Sequence, residues 1–184
     1  PGLFICGAYQ FLGNYYKEAD GTIIKGLEIL DLHTENPGEN CERLIGNIAI
    51  TPSSVIMNEM RNLISKKMGS IGFAQDNNGS TIFGFENHGG RTYLGKNVKP
   101  FGKVLSGFGN NGEDKTEGAI YKNTFGTYLH GPILPKNPHF ADYLIKIALE
   151  KKYKKEICLA DIDDSLEWQA HKEMTKRLKI SDII

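Results

Sequence analysis

Leu3-Phe4-Ile5-Cys6-Gly7-Ala8-Tyr9-Gln10-Phe11-Leu12-Gly13 is the stretch on which the fold turns. Its three leading apolar residues read as a buried strand. The run stops at Cys6-Gly7, and apolar residues resume at helix-compatible spacing over 9–12 before Gly13. Strand, sharp turn and short helix, in that order, form the setting of a nucleophile elbow, where one side chain is held on a strained turn at a sheet edge. Cys6 occupies that turn. The dipole of the following helix favours its thiolate. Gly7 lets the backbone approach a substrate closely and aim its N–H at an oxyanion. The competing reading makes Cys6 a small buried hydrophobe, as free cysteine often is.

Working outward, residues 21–128 alternate short apolar runs with Gly, Asn and Pro. Strands are predicted over 27–30, 44–50, 81–85, 104–105, 119–121 and 124–129. One helical segment interrupts them: Val55, Ile56, Met60, Leu63 and Ile64 fall near helical spacing over 54–67, and Asp76-Asn77-Asn78-Gly79 is a turn signal. Residues 53–80 therefore read as an inserted helix and turn. Two more helices are predicted, over 138–153 with Pro138 in the first turn, and over 164–178 with Asp163 or Asp164 as N-cap. This order of elements implies an α/β fold, a mixed sheet with flanking helices, in a single domain over 1–184.

Composition narrows the function. Among 184 residues, 22 Lys+Arg balance 22 Asp+Glu, so the formal net charge is zero. That argues against a nucleic-acid binder held by basic charge. Hydrophobic residues at 40% and charged residues at 24% are a globular profile. No apolar run approaches the ~20 residues that span a bilayer, and the first residues have no basic region of a secretory signal. The three cysteines, Cys6, Cys41 and Cys158, form no CxxC pair, which fits a reducing cytosol and a cytoplasmic location. Neither a P-loop nor a metal-ligand spacing is present.

A thiol nucleophile needs a base. The chain has five histidines: His33, His88, His130, His139 and His171. His130 closes the run Gly126-Thr127-Tyr128-Leu129-His130-Gly131-Pro132, a strand ending in a histidine and stopped by Gly-Pro. A side chain there is placed to meet an elbow cysteine, though a plain turn histidine would look the same. His139 and His171 fall in helical stretches and are expected at the surface. His88, in a polar, glycine-flanked stretch, is either structural or lines a site.

The Cys6 segment resembles the nucleophile segment of class I glutamine amidotransferases, and residues 126–132 resemble the histidine motif of their cobyric-acid-synthase-like branch. Residues 26–31 (GLEILD), 84–92 (GFENHGGRT) and 107–111 (GFGNN) extend the likeness to the glutaminase subunits of lipid II isoglutaminyl synthases. The resemblance implies a flavodoxin-like amidotransferase domain that hydrolyses L-glutamine. Its ammonia would go to a Mur-ligase-like partner that holds ATP and Mg2+ and acts on lipid II, with no cofactor in this chain. It implies Cys6 as nucleophile, His130 as general base and Gly7 as oxyanion donor. Arg43 would hold the glutamine carboxylate, which suits a guanidinium fork, and Gln10 would line the pocket. The alternatives are the amidotransferase domain of a cobyric-acid-type synthase, or a non-catalytic binding fragment.

Three departures from that family stand out. The family carries an N-terminal part before the cysteine, so the chain reads as a C-terminal portion; residues 3–5 are then expected at an exposed edge or covered by another chain, and the chain alone is expected to have little activity. Residues 53–80 have no counterpart. The family's Glu two residues after the histidine is replaced by Pro132, which leaves the third triad member unassigned.

Overall fold

The computed structural model describes residues 1–68 and 81–180. The strands fall into three sheets with helices packed around them, so the mixed α/β layout holds, divided into separate sheets. The first sheet has the order β1 (Gly2–Ile5), β11 (Thr124–Thr127), β10 (Ala119–Tyr121). β1 runs parallel to β11 and lies at the edge of this sheet with half-buried residues; β10 is antiparallel to β11. The second sheet has the order β3 (Ile23–Lys25), β2 (Tyr15–Lys17), β4 (Leu32–Glu35), β7 (Arg91–Leu94). The third has the order β6 (Ile82–His88), β5 (Leu44–Pro52), β8 (Gly102–Ser106), β9 (Thr116–Glu117).

Helix α1 (Gly7–Phe11) follows β1 directly. Its Tyr9 packs on β11 where Gly126 leaves room; a side chain at 126 would collide with the Tyr9 ring. Tyr9, Leu12, Leu30, Leu32, Val98, Ala119 and Tyr128 form one buried cluster. The main core joins Ile48 and Ile50 of β5 to Ile82, Phe101, Phe125 and Phe140. Helix α2 (Ser54–Met68) contributes Ile56 and Met60 to that core, so this part of the 53–80 segment is integral to the packing. Residues 69–80, with the turn signal at 76–79, lie outside the described residues.

The short α3 (Ile133–Lys136) leads into α4 (Pro138–Tyr153), and α5 (Ser165–Leu178) closes the described chain. Pro138 sits in the first turn of α4, and Asp164 is the N-cap residue of α5, without a side-chain capping bond. Asn137 ties the helices to β6: its Oδ1 accepts from Phe83 N at 2.8 Å, and its Nδ2 donates to Phe83 O at 2.7 Å and Ile133 O at 2.6 Å.

Two expectations are corrected. Residues 27–30 are not a strand. Their N–H groups donate to the carbonyls of Phe11, Leu12 and Gly13, so the segment closes the end of α1 instead of joining a ladder. His139 and His171 are not at the surface; each is 1% exposed. Their helix faces turn inward against Phe83 and Trp168, whose rings they meet.

Candidate active site

Cys6 sits between β1 and α1 with φ 56° and ψ −114°. A non-glycine residue there carries strain on the order of 1–3 kcal/mol, which surrounding structure must hold in place. Two backbone bonds do so. Cys6 N–H donates to Thr127 O at 2.9 Å, and Cys6 O accepts from Gln10 N at 3.0 Å. The first pins the elbow to β11 and the second to α1. Gly7 is the exposed first residue of α1, where N–H groups have no partner within the helix, and a Cβ there would meet open space.

Because β1 and β11 are parallel, with Ile5 opposite Thr127, both chains leave the sheet at the same edge. Three residues on, His130 forms an isolated bridge with Phe85 of β6. Its backbone N–H donates to Phe85 O at 2.8 Å, and its ring Nδ1 lies 3.0 Å from the same oxygen. A carbonyl only accepts, so Nδ1 carries the hydrogen and Nε2 of the neutral ring keeps its lone pair. His130 is half-buried, as is Cys6.

Behind the histidine run lies a buried polar layer that sequence reasoning missed. Glu117 accepts from Thr127 Oγ1 at 2.6 Å and from Tyr128 N at 2.8 Å. It thus grips the residues that link the Cys6 partner to His130. Burial pushes the Glu117 carboxyl up to about 7, against those two donors, and nearby Glu86 adds to the rise. Glu86 accepts from Phe108 N and Gly109 N at 2.8 and 2.9 Å, so it fixes the 107–111 loop. His88 is 2% exposed and stacks on Tyr128 with ring centroids 3.5 Å apart. Burial drives its imidazole down to about 4, so its 4.0 Å approach to Glu86 is no ion pair at neutral pH. Of its two open readings, His88 takes the structural one.

Of the remaining expected residues, Gly7 and Gln10 line one cleft, and Arg43 is not in its lining. That cleft, of ≈ 260 Å³, is lined by Gly7, Gln10, Phe11, Tyr16, Glu18, Ile24 and Gly26. Gln10 Nε2 donates to Tyr128 Oη at 2.9 Å, and that phenol lies 2.6 Å from Thr92 Oγ1. Arg43 is exposed just before β5 and folds onto Asn87, with Nε to Oδ1 at 3.0 Å and Nη2 to the carbonyl at 3.1 Å. Its Nη1 would lie 3.3 Å from a Cβ on Gly89. A Cβ on the next residue, Gly90, would press on Gln10 Nε2 at 3.0 Å and Tyr16 Cε2 at 3.1 Å. The two glycines let the guanidinium and the cleft wall approach each other. Burial first, and then the Glu18 carboxylate, push the Tyr16 phenol up; Asn36 and the Arg43 guanidinium oppose, and Cys6 adds to the rise. Period-2 alternation along β2 was the available signal, since it puts Tyr16 on the face opposite Tyr15.

A strained thiol at a strand–helix elbow, bonded through its backbone to the strand that leads to His130 and followed by a small polar cleft, is an arrangement that cysteine–histidine acyl-transfer sites would use. Among these, the chain belongs to the CobB/CobQ-like glutamine amidotransferase domain family, which it matches over residues 1–138. It is 47% identical over 152 residues to subunit GatD of the glutamine-hydrolyzing lipid II isoglutaminyl synthase of Staphylococcus aureus, covering 83% of this chain and 51% of that protein. It is 40% identical over 171 residues to the Streptococcus pneumoniae GatD, covering 93% and 56%. A probable cobyric acid synthase of Methanothermobacter thermautotrophicus is 31% identical over 160 residues, covering 83% and 27%. The chain spans about half the length of the two GatD subunits it matches.

Proposed function

We propose that this chain is the glutaminase component of a peptidoglycan-amidating synthase. It hydrolyses L-glutamine, and the ammonia passes to a Mur-ligase-like partner that activates the D-glutamate carboxylate of the lipid II stem peptide. The product is D-isoglutamine. ATP and Mg2+ belong to the partner, and the reaction takes place in the cytoplasm. The observation that carries this reading is the strained Cys6 elbow, hydrogen-bonded to the strand that leads to His130. The names of the two GatD relatives, at 47% and 40% identity, favour lipid II over a corrin substrate, whose relative stands at 31%.

In this mechanism the Cys6 thiolate attacks the carboxamide carbon, and the Gly7 N–H receives the developing oxyanion. His130 takes the thiol proton on Nε2 and returns it to the departing ammonia. Water then attacks the thioester, with the same nitrogen as base, and releases glutamate. The Phe85 carbonyl holds the His130 tautomer, as a carboxylate does in a full triad. Arg43 binds the α-carboxylate, and Gln10 shapes the pocket wall.

The test is a glutamine-like electrophile followed by peptide mapping. Cys6 should be labelled, while the exposed Cys41 and Cys158 are spared. Equal labelling of all three overturns the assignment. With the partner present, the Cys6→Ser protein should amidate lipid II from free ammonia and not from glutamine.

A further inference from the structure

The cleft beside Cys6 carries one formal charge in its lining, the carboxylate of Glu18. At ≈ 260 Å³ it lies below the ~300–1,000 Å³ of sites for drug-sized ligands, and suits something the size of an amino acid. Glu18 is held by its backbone. Its N–H donates to Thr22 O at 2.8 Å, its carbonyl accepts from Gly21 N at 3.0 Å, and Asp20 Oδ1 accepts from Thr22 N at 2.8 Å. The side chain makes no ion pair among the described residues. The neighbouring Lys17 points to the opposite face of β2, toward Glu35 at 3.8 Å. A turn thus fixes the base of a half-buried carboxylate on a cleft wall and leaves its charge unanswered.

The ligand read for this cleft is a zwitterion with an amide at its far end. A thiol for the amide stands at Cys6. A cation for the α-carboxylate stands at Arg43, which a Cβ on Gly89 would meet, while a Cβ on Gly90 would meet Tyr16 and Gln10. The α-ammonium group has no acceptor in that set. Glu18, Tyr16, Gln10 and Gly7 line one cleft, and a Cβ on Gly90, next to the Gly89 that Arg43 approaches, would press on Tyr16 and Gln10, so the wall that carries Glu18 adjoins both the elbow and the guanidinium. We propose that Glu18 is the specificity-determining residue of this site: it receives the α-ammonium group, and so confines the site to free amino acids with an unblocked amine. The inference rests on the glutaminase reading. It adds the feature that excludes amides lacking that charge, such as glutaramate or an N-acylated glutamine. Discrimination follows because a charged group left unpaired in a half-buried cleft costs more than a neutral one.

The experiment compares L-glutamine with glutaramate, which is glutamine without its α-amino group, in the wild type, Glu18→Gln and Glu18→Asp. Glu18→Gln should raise KM for glutamine about 10- to 150-fold with kcat little changed. It should also erase most of the preference for glutamine over glutaramate, and Glu18→Asp should recover part of both. Unaltered preference in Glu18→Gln overturns the proposal. A second readout needs no turnover: protection of Cys6 from a diazoketone analogue of glutamine. L-glutamine should protect the wild type well and glutaramate poorly, and Glu18→Gln should lose that difference. If Glu18→Gln and the wild type are labelled and protected alike, only the Glu18 assignment falls. If Cys6 is not labelled in either, the glutaminase reading falls, and the Glu18 assignment with it.

Discussion

The sheet edge at Cys6 and the helical pocket around His139 are built from similar parts and put to opposite uses. In the pocket, His139 lies 3.2 Å from Thr81 O through Nε2, and its ring meets Trp168 at 5.4 Å and His171 at 5.1 Å. Its Nδ1 is buried without a partner. Burial, helped by His171, drives the imidazole down to about 3, so it is neutral and sealed. At the edge, the half-buried His130 spends one nitrogen on a carbonyl, three residues beyond the Thr127 carbonyl that pins Cys6 at φ 56°. A histidine with an uncommitted nitrogen occurs in both places. What separates them is access and a strained elbow bonded to the same strand, and neither can be read from residue type.

The sharpest way to break this comparison is at Cys6. Cys6→Ser should remove glutamine hydrolysis by on the order of 10⁴-fold or more, whereas His139→Gln should leave turnover within a few-fold. Cys6→Gly should abolish turnover equally yet unfold at a slightly higher denaturant concentration, because glycine accepts a positive φ without strain. A Cys6→Gly protein that is clearly less stable than wild type would mean that the elbow stores no strain.

Arg43→Ala is expected next in size. Loss of a charge-assisted contact of about 1.5–3 kcal/mol should raise the glutamine concentration for half-maximal rate roughly 10- to 150-fold, with chemical unfolding unchanged because the side chain is exposed. An unaltered KM would reduce Arg43 to a surface residue held by Asn87.

Glu117 sharpens the comparison through stability. Glu117→Ala leaves the Thr127 hydroxyl and the Tyr128 N–H buried without an acceptor, and should cost about 1–3 kcal/mol in urea unfolding. Activity should fall too, since those residues join the Cys6 partner to His130. Glu117→Gln keeps one acceptor oxygen and should restore most of both.

The smallest effect is a difference in pH dependence between the two regions. The Glu117 carboxyl is raised from 4.5 to about 7 by burial, so the folded state holds a proton that the unfolded chain releases. Its contribution is fully present below about 4.5 and is lost as pH rises toward 7. His139 is lowered from 6.5 to about 3 by burial, so the unfolded chain takes up the proton first. Its contribution is present above about 6.5 and is lost as pH falls toward 3. Unfolding free energy measured from pH 4 to 8 should lose its decline toward neutral pH in Glu117→Gln, and should decline less steeply toward acid in His139→Gln, the remainder coming from the buried His88. Identical profiles in both variants would show that neither group titrates with folding.

Much of the fold was legible locally. The strand–elbow–helix at Cys6, the helices α2, α4 and α5, and the strands β5, β6, β8, β10 and β11 follow from apolar runs broken by Gly and Pro. The second sheet was not legible. β2 and β3 are three residues each, and β3 is exposed throughout, so neither carries an apolar run. Residues 27–30 were apolar enough to mimic a strand, but their N–H groups found nearer acceptors at the end of α1.

For the site the same division holds. Cys6, Gly7 and His130 stand out because each sits where a periodic run ends, and a chain break in pattern is a local property. Arg43 and Gln10 came from resemblance, not from periodicity. Tyr16, Glu18, Glu117 and the Phe85 carbonyl were beyond local reading, because their roles come from partners distant in the chain. Glu117 meets Thr127 and Tyr128 across a sheet junction, and Phe85 meets His130 over 45 positions. Sequence by itself determined the chemistry on offer: one thiol at an elbow, and a histidine at the end of a strand. Tertiary structure alone decided which groups are buried and which charge lines the cleft, because desolvation and Coulomb interaction depend on distance in space and not along the chain.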